Sequence, residues 1–496
     1  MASDGGARMM DGHRHPLWKG TSVRSTLQDL MRQLPAVNEL LDAYGGRKDA
    51  VRERDAKLLT RLARRILDAE RHRLRQEAEK GLAPSPRPLD ALAFEMNRAL
   101  TDFDRPRTHP VVNATGVVLH SGLGRAPWPD AAFAALEATR RYCLLEVEAE
   151  EGKRRRRDAF CEDLLVELTG AEAAFVVNNN AAATLIILNT LGAGKQIVVS
   201  RSQMIEIGGS FRLPDVFEAS GCRLREVGTT NRSYVRDYEA ALGDDTAALL
   251  LVHTSNYRIV GFTEHVDLPE LVALGREHGL PVIHDVGSGS LIDLTPLGVP
   301  DEPPVQTSVK AGADVVCFSG DKLIGGPQAG IIVGKKEWIE KIRKNPLARA
   351  LRIDKVTCVA LEATLKLYME PDSLFAKVPT LGALTESLES IEQRATLLQR
   401  ALDKVLDGKG AALLLEDTSE LGAGTLPTHG LPTLCVTLDI KGVGATDLAR
   451  ALRTGRPSVF SRIKDDLVLL DARTIGDDDV SLIAEALQHI VEDLDS

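Results

Sequence analysis

Three short stretches hold residues that chemistry can use. "FSGDKLIGGPQAG" (318–330) sets a single lysine, Lys322, between an apolar strand-like run, "ADVVCF", and a loop with glycine at 325, 326 and 330. A lysine at the mouth of a buried strand, beside backbone that lets a ligand approach closely, can act as a nucleophile. "LPVIHDVGSG" closes a second apolar run with Asp285, followed by two glycines. "VVNNNAAATL" (176–185) opens a helix whose first amides lack intrahelical acceptors and therefore suit a phosphate. Taken singly, each has an ordinary reading: Asp285 as a turn residue, Lys322 as a loop charge, the asparagines as helix caps. Taken in order, a phosphate-binding helix start, an acid and then a lysine 37 residues further on are the three parts that pyridoxal phosphate requires. The lysine forms a Schiff base, the acid keeps the pyridine nitrogen protonated, and the helix terminus grips the phosphate.

Such residues work together only if a sheet holds them. From about 110 to 365, six β-rich runs ("AAFVVNN", "KQIVVS", "AALLLVHTS", "LPVIHDVGSG", "ADVVCFSG", "AGIIVGKK") alternate with helical pieces such as "AAATLIILNTLG" and "DLPELVALGREHG". Continuous apolar strands between helices predict an α/β fold, a mostly parallel sheet with helices on both faces. Ligands of such sheets gather at the carboxyl ends of the strands, where Lys322 and Asp285 fall. Beyond 366 a long helical stretch leads into a smaller α+β pattern. Before it, residues 21–80 read as helices: one opens at a Ser25 cap, and a basic one runs from Val51 to Lys80 on an apolar stripe of Leu58, Leu59, Leu62 and Ile66. "GLAPSPRPLD" (81–90) reads as a linker. The expected division is a disordered tail over 1–20, a basic helical domain over 21–85, a large catalytic domain over 86–365 and a small α+β domain over 366–496.

With 27% charged and 44% hydrophobic residues, the 496-residue chain has the composition of a soluble globular protein. No apolar run approaches the roughly 20 residues of a membrane span, and the N-terminus has no secretory h-region. Six scattered cysteines without a CxxC pair suggest reduced thiols and a cytoplasmic location. His120, His253 and His284 adjoin strand ends without metal-ligand spacing. His284 either touches the cofactor ring or is a satisfied core histidine. The formal charge of −10 excludes a protein that coats nucleic acid over its whole surface. Residues 1–109 nevertheless carry 21 Lys+Arg against 16 Asp+Glu, leaving 40 against 55 for the rest. A basic end on an acidic body suggests a localised polyanion contact, with a solvated helix of Arg–Glu pairs as the alternative.

The blocks "VVNATGVVLHSGLGRA", "VVNNNAAATLIILN", "IEIGGSFRLPDV", "EVGTTNR", "VHTSNYRIVGFTE", "FSGDKLIGGPQAGIIVGKK" and "NPLARALRIDKVTCVALEATLKLY" resemble, in order and over nearly the whole chain, the bacterial selenocysteine synthases, L-seryl-tRNA(Sec) selenium transferases. The resemblance implies a fold-type-I pyridoxal-phosphate enzyme that forms a ring-shaped homo-oligomer, a decamer. Its implied reaction turns seryl-tRNA(Sec) into selenocysteinyl-tRNA(Sec) with selenophosphate, through an aminoacrylyl-tRNA. It gives the Schiff-base role to Lys322, with Lys322 also the base for the serine α-proton, and places Asp321 beside it. It assigns Arg125, Arg349 and Arg352 to the anionic selenium donor and the N-terminal helices to the tRNA. Within the fold-type-I pattern Asp285 meets the pyridine nitrogen, and Asn179, Asn180 and Ser319 are expected phosphate contacts.

Departures from the family pattern sit at "HSGLGR", where "HTNLGR" is usual, at "SRSQ", where "SRGQ" is usual, and in "CLLEVEAEEGKRRRRD", which replaces a tyrosine-bearing segment. They bear on the pocket mouth at Ser121, Gly122 and Ser202 rather than on the reaction class. Arg154–Arg157 reads as a tRNA or subunit contact, or as a solvated charge run. A small-molecule lyase of the same superfamily and an inactive tRNA-binding protein are the rival readings. The basic N-terminal helices oppose the first, and the intact lysine, acid and arginines oppose the second.

Overall fold

The computed structural model describes residues 27–45, 56–104, 106–207, 211–254, 256–297, 299, 302–422 and 430–494. The expected tail, the Ser25 cap and the first residues of the basic helix lie outside them. The chain separates into two units, residues 1–110 and 111–496.

In the first unit, helices Val37–Gly45, Ala56–Glu79 and Leu89–Asp104 share one core of Leu40, Tyr44, Leu62, Ile66, Leu67, Leu92, Met96 and Leu100. Leu59, Leu62 and Ile66 are buried as the stripe predicts, while Leu58 is only partly covered. Lys57, Arg61, Arg64 and Arg75 recur at helical spacing on the face turned away from that core. Leu89–Asp104 belongs to this unit rather than to the catalytic domain expected from residue 86, because its apolar stripe is buried among these helices.

Of the stretch 81–90, read as a linker, the last two residues already belong to helix Leu89–Asp104, and Arg87 is pinned by an acid. Glu70 is fully buried and its carboxylate accepts from Arg73 Nε at 3.0 Å and Nη2 at 2.6 Å, and from Arg87 N at 3.0 Å and Nε at 2.7 Å. Burial alone would raise the Glu70 pKa, but these donors outweigh it and hold the group at about 2. A folded-state pKa below the unfolded value stabilises at pH above the unfolded value, and that stability is lost as pH falls through about 2. Glu70→Gln should cost roughly 2 kcal/mol near pH 7, less than a fully buried pair because both arginines are partly exposed. Acid melts checked by circular dichroism should show the wild type's advantage over the variant shrinking as pH falls below ~4.5 toward 2. Equal melting of the two proteins at pH 7 would contradict the assignment.

The second unit holds two sheets. The larger has seven strands in the order Ala173–Val177, Gly330–Gly334, Val315–Ser319, Val282–Gly287, Thr246–Val252, Gln196–Ser200 and Arg223–Val227. Gly330–Gly334 pairs antiparallel with both neighbours, and the remaining pairs are parallel. Alternation along the strands gives each face its own core. Phe175, Val177, Ile197, Val199, Leu250, Ile283 and Cys317 face helix Asn180–Gly192. Val176, Val316, Phe318, Ile331 and Val333 face Leu165, Leu361 and Leu365.

The smaller sheet runs Val112–Ala114, Val459–Lys464, Leu467–Asp471, Leu431–Ile440 and Gly410–Ser419. It packs on helices Leu388–Leu406, Ala445–Thr454 and Asp479–Leu494. Its first strand comes from far upstream in sequence and pairs parallel to Val459–Lys464. The helical stretch before it breaks at Glu386, and Ser387 caps the helix that follows.

Candidate active site

Asp285 lies near the end of its strand on the face of helix Asn180–Gly192. Asn180 Nδ2 donates to its Oδ1 at 2.8 Å, Thr184 Oγ1 to its Oδ2 at 2.9 Å, and Gly287 N to its Oδ1 at 3.1 Å. Burial lifts the Asp285 pKa, although these donors and the nearby Lys322 pull it down. A carboxyl lifted in this way shares a proton readily with a weak base such as a ring nitrogen. His284, one residue earlier, points to the opposite face, where its Nδ1 lies 2.9 Å from Ser308 Oγ. Burial drives its pKa down to about 3, so it is a neutral core histidine and makes no contact with Asp285's partners.

Lys322 follows the adjacent strand Val315–Ser319 and is buried, as are Ser319 and Asp321. Burial lowers its pKa and Arg125 adds to that effect, while Asp321, Asp285 and Glu302 oppose it. An amine so placed spends more of its time unprotonated, the form that attacks an aldehyde or removes a proton. The loop after it is tight, with Gly325 N donating to Lys322 O at 3.0 Å and Gly326 N to Gly320 O at 3.0 Å. Gly325 has φ 71°, and a Cβ there would lie 2.5 Å from Val378 Cγ1, so the turn requires glycine.

At the start of helix Asn180–Gly192, the Asn179 side chain caps Ala182 N at 2.9 Å. The Asn180 side chain is turned to Asp285. The Asn179 oxygen and the Asn180 nitrogen are thus engaged, and what this turn offers an anion is its backbone N–H groups and the helix dipole. Gly330 fixes the turn from below: a Cβ on it would sit 2.0 Å from Asn179 O.

Arg125 adopts φ 63°, a left-handed backbone that costs a side-chain-bearing residue about 1 kcal/mol or more. Its Nη1 meets Asp321 Oδ2 at 2.8 Å. Arg352 Nη1 meets Glu146 Oε1 at 2.9 Å, and its segment adjoins the phosphate-loop candidate, since Asn178 N donates to Leu351 O at 3.0 Å. Arg349 is exposed on the short helix Leu347–Ala350, with no bond to the other two among the described residues. Lys322, Asp321, Asp285, Asn180 and Arg125 are therefore brought together, and Arg349 is left apart.

Sequence reasoning missed Thr184, Glu302 and Glu146. Thr184 sits four residues after Asn180, and that helical spacing was the available signal. Glu146 binds Arg154, Arg157 and Arg352. Arg155 pairs with Glu148 and Asp163, and Arg156 with Glu162. The run Arg154–Arg157 is thus neutralised by acids of its own unit.

The seven-stranded, mostly parallel sheet with a lysine, an acid and a helix start at its carboxyl edge has the fold-type-I architecture. A solved D-glucosaminate-6-phosphate ammonia-lyase shares that fold at a TM-score of 0.55 and 21% identity, covering 78% of this chain and 97% of the other. The profile of the family described as L-seryl-tRNA selenium transferase matches residues 111–476. The L-seryl-tRNA(Sec) selenium transferase of Moorella thermoacetica is 48% identical over 94% of this chain and 98% of its own. That of Alkaliphilus metalliredigens is 45% identical over 93% and 99%. The chain belongs to the L-seryl-tRNA selenium transferase family.

Proposed function

We propose that this protein converts L-seryl-tRNA(Sec) to L-selenocysteinyl-tRNA(Sec) with selenophosphate and pyridoxal phosphate, in the cytoplasm and as a homo-oligomer. The observation that carries the reading is 48% identity to a relative of that name over 94% of the chain. Among the described residues no helix is long and apolar enough to cross a membrane.

The residues present suit the cofactor. Lys322 Nζ would hold it covalently, Asp285 would face its pyridine nitrogen, and Ser319 with the amides at Asn179 and Asn180 would take its phosphate. Asn180 Oδ1 is buried without a partner, a polar atom available to a group seated there. When bound, pyridoxal phosphate draws electrons from the seryl α-carbon and makes its proton acidic.

The chain's own residues do the rest. Lys322, its amine favoured by burial, takes the α-proton as the β-hydroxyl leaves. Asn180 and Thr184 hold the Asp285 carboxyl in one orientation. Asp321 orients Arg125 toward the donor's phosphate, and Arg352 and Arg349, which this structure holds apart from it, would have to turn to add their forked guanidinium contacts.

Replacing any one of the three arginines removes charge-assisted hydrogen bonds worth about 1.5–3 kcal/mol. Donor affinity should fall roughly 10- to 150-fold per arginine, while the absorbance of the bound cofactor stays unchanged. Loss of the cofactor instead would move these arginines to the phosphate loop. The reading as a whole is tested by turnover of Ser-tRNA(Sec) with selenophosphate.

A further inference from the structure

Loss of the serine hydroxyl needs a proton donor, and no residue considered above supplies one. A second cluster lies at the same sheet edge. Strands Thr246–Val252, Val282–Gly287 and Val315–Ser319 are adjacent and parallel, so His253, Ser288 and the Lys322 loop leave the sheet side by side. His253 N donates to Asp285 O at 2.8 Å, which ties the histidine to the strand of the site's acid. Glu302 is only 1% exposed. Ser288 Oγ donates to its Oε2, and its Oε1 is buried without a partner. His253 Nε2 lies 3.7 Å from Glu302 Oε2.

A buried carboxylate is costly unless a cation faces it. Among the described residues the group within ion-pair distance of Glu302 is the His253 ring. That contact directs Nε2 toward the acid at ion-pair distance, and Nδ1 has no hydrogen-bond partner among the described residues. The His253 side chain is 22% exposed, so a substrate can reach it, whereas Glu302 is sealed behind it. The neighbouring ring, His284, has its Nδ1 2.9 Å from Ser308 Oγ.

We propose that His253 is the acid that protonates the departing β-hydroxyl of the seryl group, with Glu302 as the residue that positions it. This assignment rests on the seryl-tRNA reading. Lys322 takes the proton from Cα, and the freed electron pair forms the Cα–Cβ double bond. The Cβ–O bond breaks with its electrons on oxygen, His253 Nδ1–H gives that oxygen its second proton, and water leaves. Lys322 passes from amine to ammonium as His253 passes from imidazolium to imidazole, so the net charge of the site is unchanged.

The test compares seryl-tRNA with 3-chloroalanyl-tRNA on the full-length holoenzyme, because chloride leaves without a proton. His253→Asn should lower elimination from seryl-tRNA by roughly 10²- to 10⁴-fold, the range for one proton-transfer group. Elimination of chloride should stay near wild type, and the absorbance of the bound cofactor should not change. Glu302→Gln, isosteric and still able to accept from Ser288, should show the same selective loss in weaker form. It carries the test if His253→Asn fails to retain cofactor. Equal losses on both substrates, or no loss on seryl-tRNA, would overturn the assignment. A wild-type protein that turns over chloroalanyl-tRNA but never seryl-tRNA would instead overturn the functional reading beneath it.

Discussion

Lys322→Ala is expected to lower conversion of seryl-tRNA(Sec) by at least ~10⁴-fold, because one side chain both holds the cofactor and moves the α-proton. Purified wild type should be yellow, and borohydride should fix the chromophore to the peptide that contains Lys322. The variant should bind the cofactor reversibly, if at all, and borohydride should leave its peptides unlabelled. The structure gives this lysine its character through burial and through Arg125, which both lower its pKa. Asp321 holds that arginine at 2.8 Å. Normal turnover by Lys322→Ala would remove the basis of the mechanism.

The second large effect is expected in the helical unit. Helix Ala56–Glu79 buries Leu62, Ile66 and Leu67 and turns its arginines outward. Arg73 and Arg71 are engaged by Glu70 and Asp68, whereas Arg61, Arg64, Arg65 and Arg75 form no ion pair among the described residues. We assign these four to the phosphates of the tRNA. Changing all four to glutamine should remove about 1 kcal/mol each, together roughly 10²- to 10³-fold in affinity for Ser-tRNA(Sec). The salt dependence should flatten by about 3 in log–log slope, close to one unit per lost phosphate contact. Cofactor absorbance should be untouched, since the residues assigned to the cofactor all lie within 111–496. A quadruple variant that binds as tightly as wild type at matched salt would place tRNA recognition within residues 111–496. A shortened chain for the same purpose should begin near residue 106. A cut at Pro84 would strip Leu92, Met96 and Leu100 of the helices that cover them.

The large sheet was legible because six of its strands are continuous apolar runs. The seventh, Arg223–Val227, exposes Arg223 and Arg225 at the sheet edge and buries only Val227, and so lacks the buried-strand signature. Lys322 and Asp285 could be found because catalysis at this edge puts polar residues where apolar strands stop. Helical spacing set Thr184 beside Asn180, but not against Asp285 101 residues away, and Glu302 was hidden because its hydrogen bond goes to Ser288. Arg154–Arg157 looked like a binding patch, and its acids come partly from across a turn and partly from the next helix. The smaller sheet hid its first strand, Val112–Ala114, because only a parallel contact more than three hundred residues distant makes it a strand. Periodicity reports what a segment buries; it does not report which distant segment it meets.

The most direct measurement is the fate of seryl-tRNA(Sec) given to the purified, cofactor-loaded protein with selenophosphate. The account predicts selenocysteinyl-tRNA(Sec) as product, with formation abolished in Lys322→Ala. Seryl-tRNA(Sec) recovered unchanged by a protein that binds both cofactor and tRNA would contradict it.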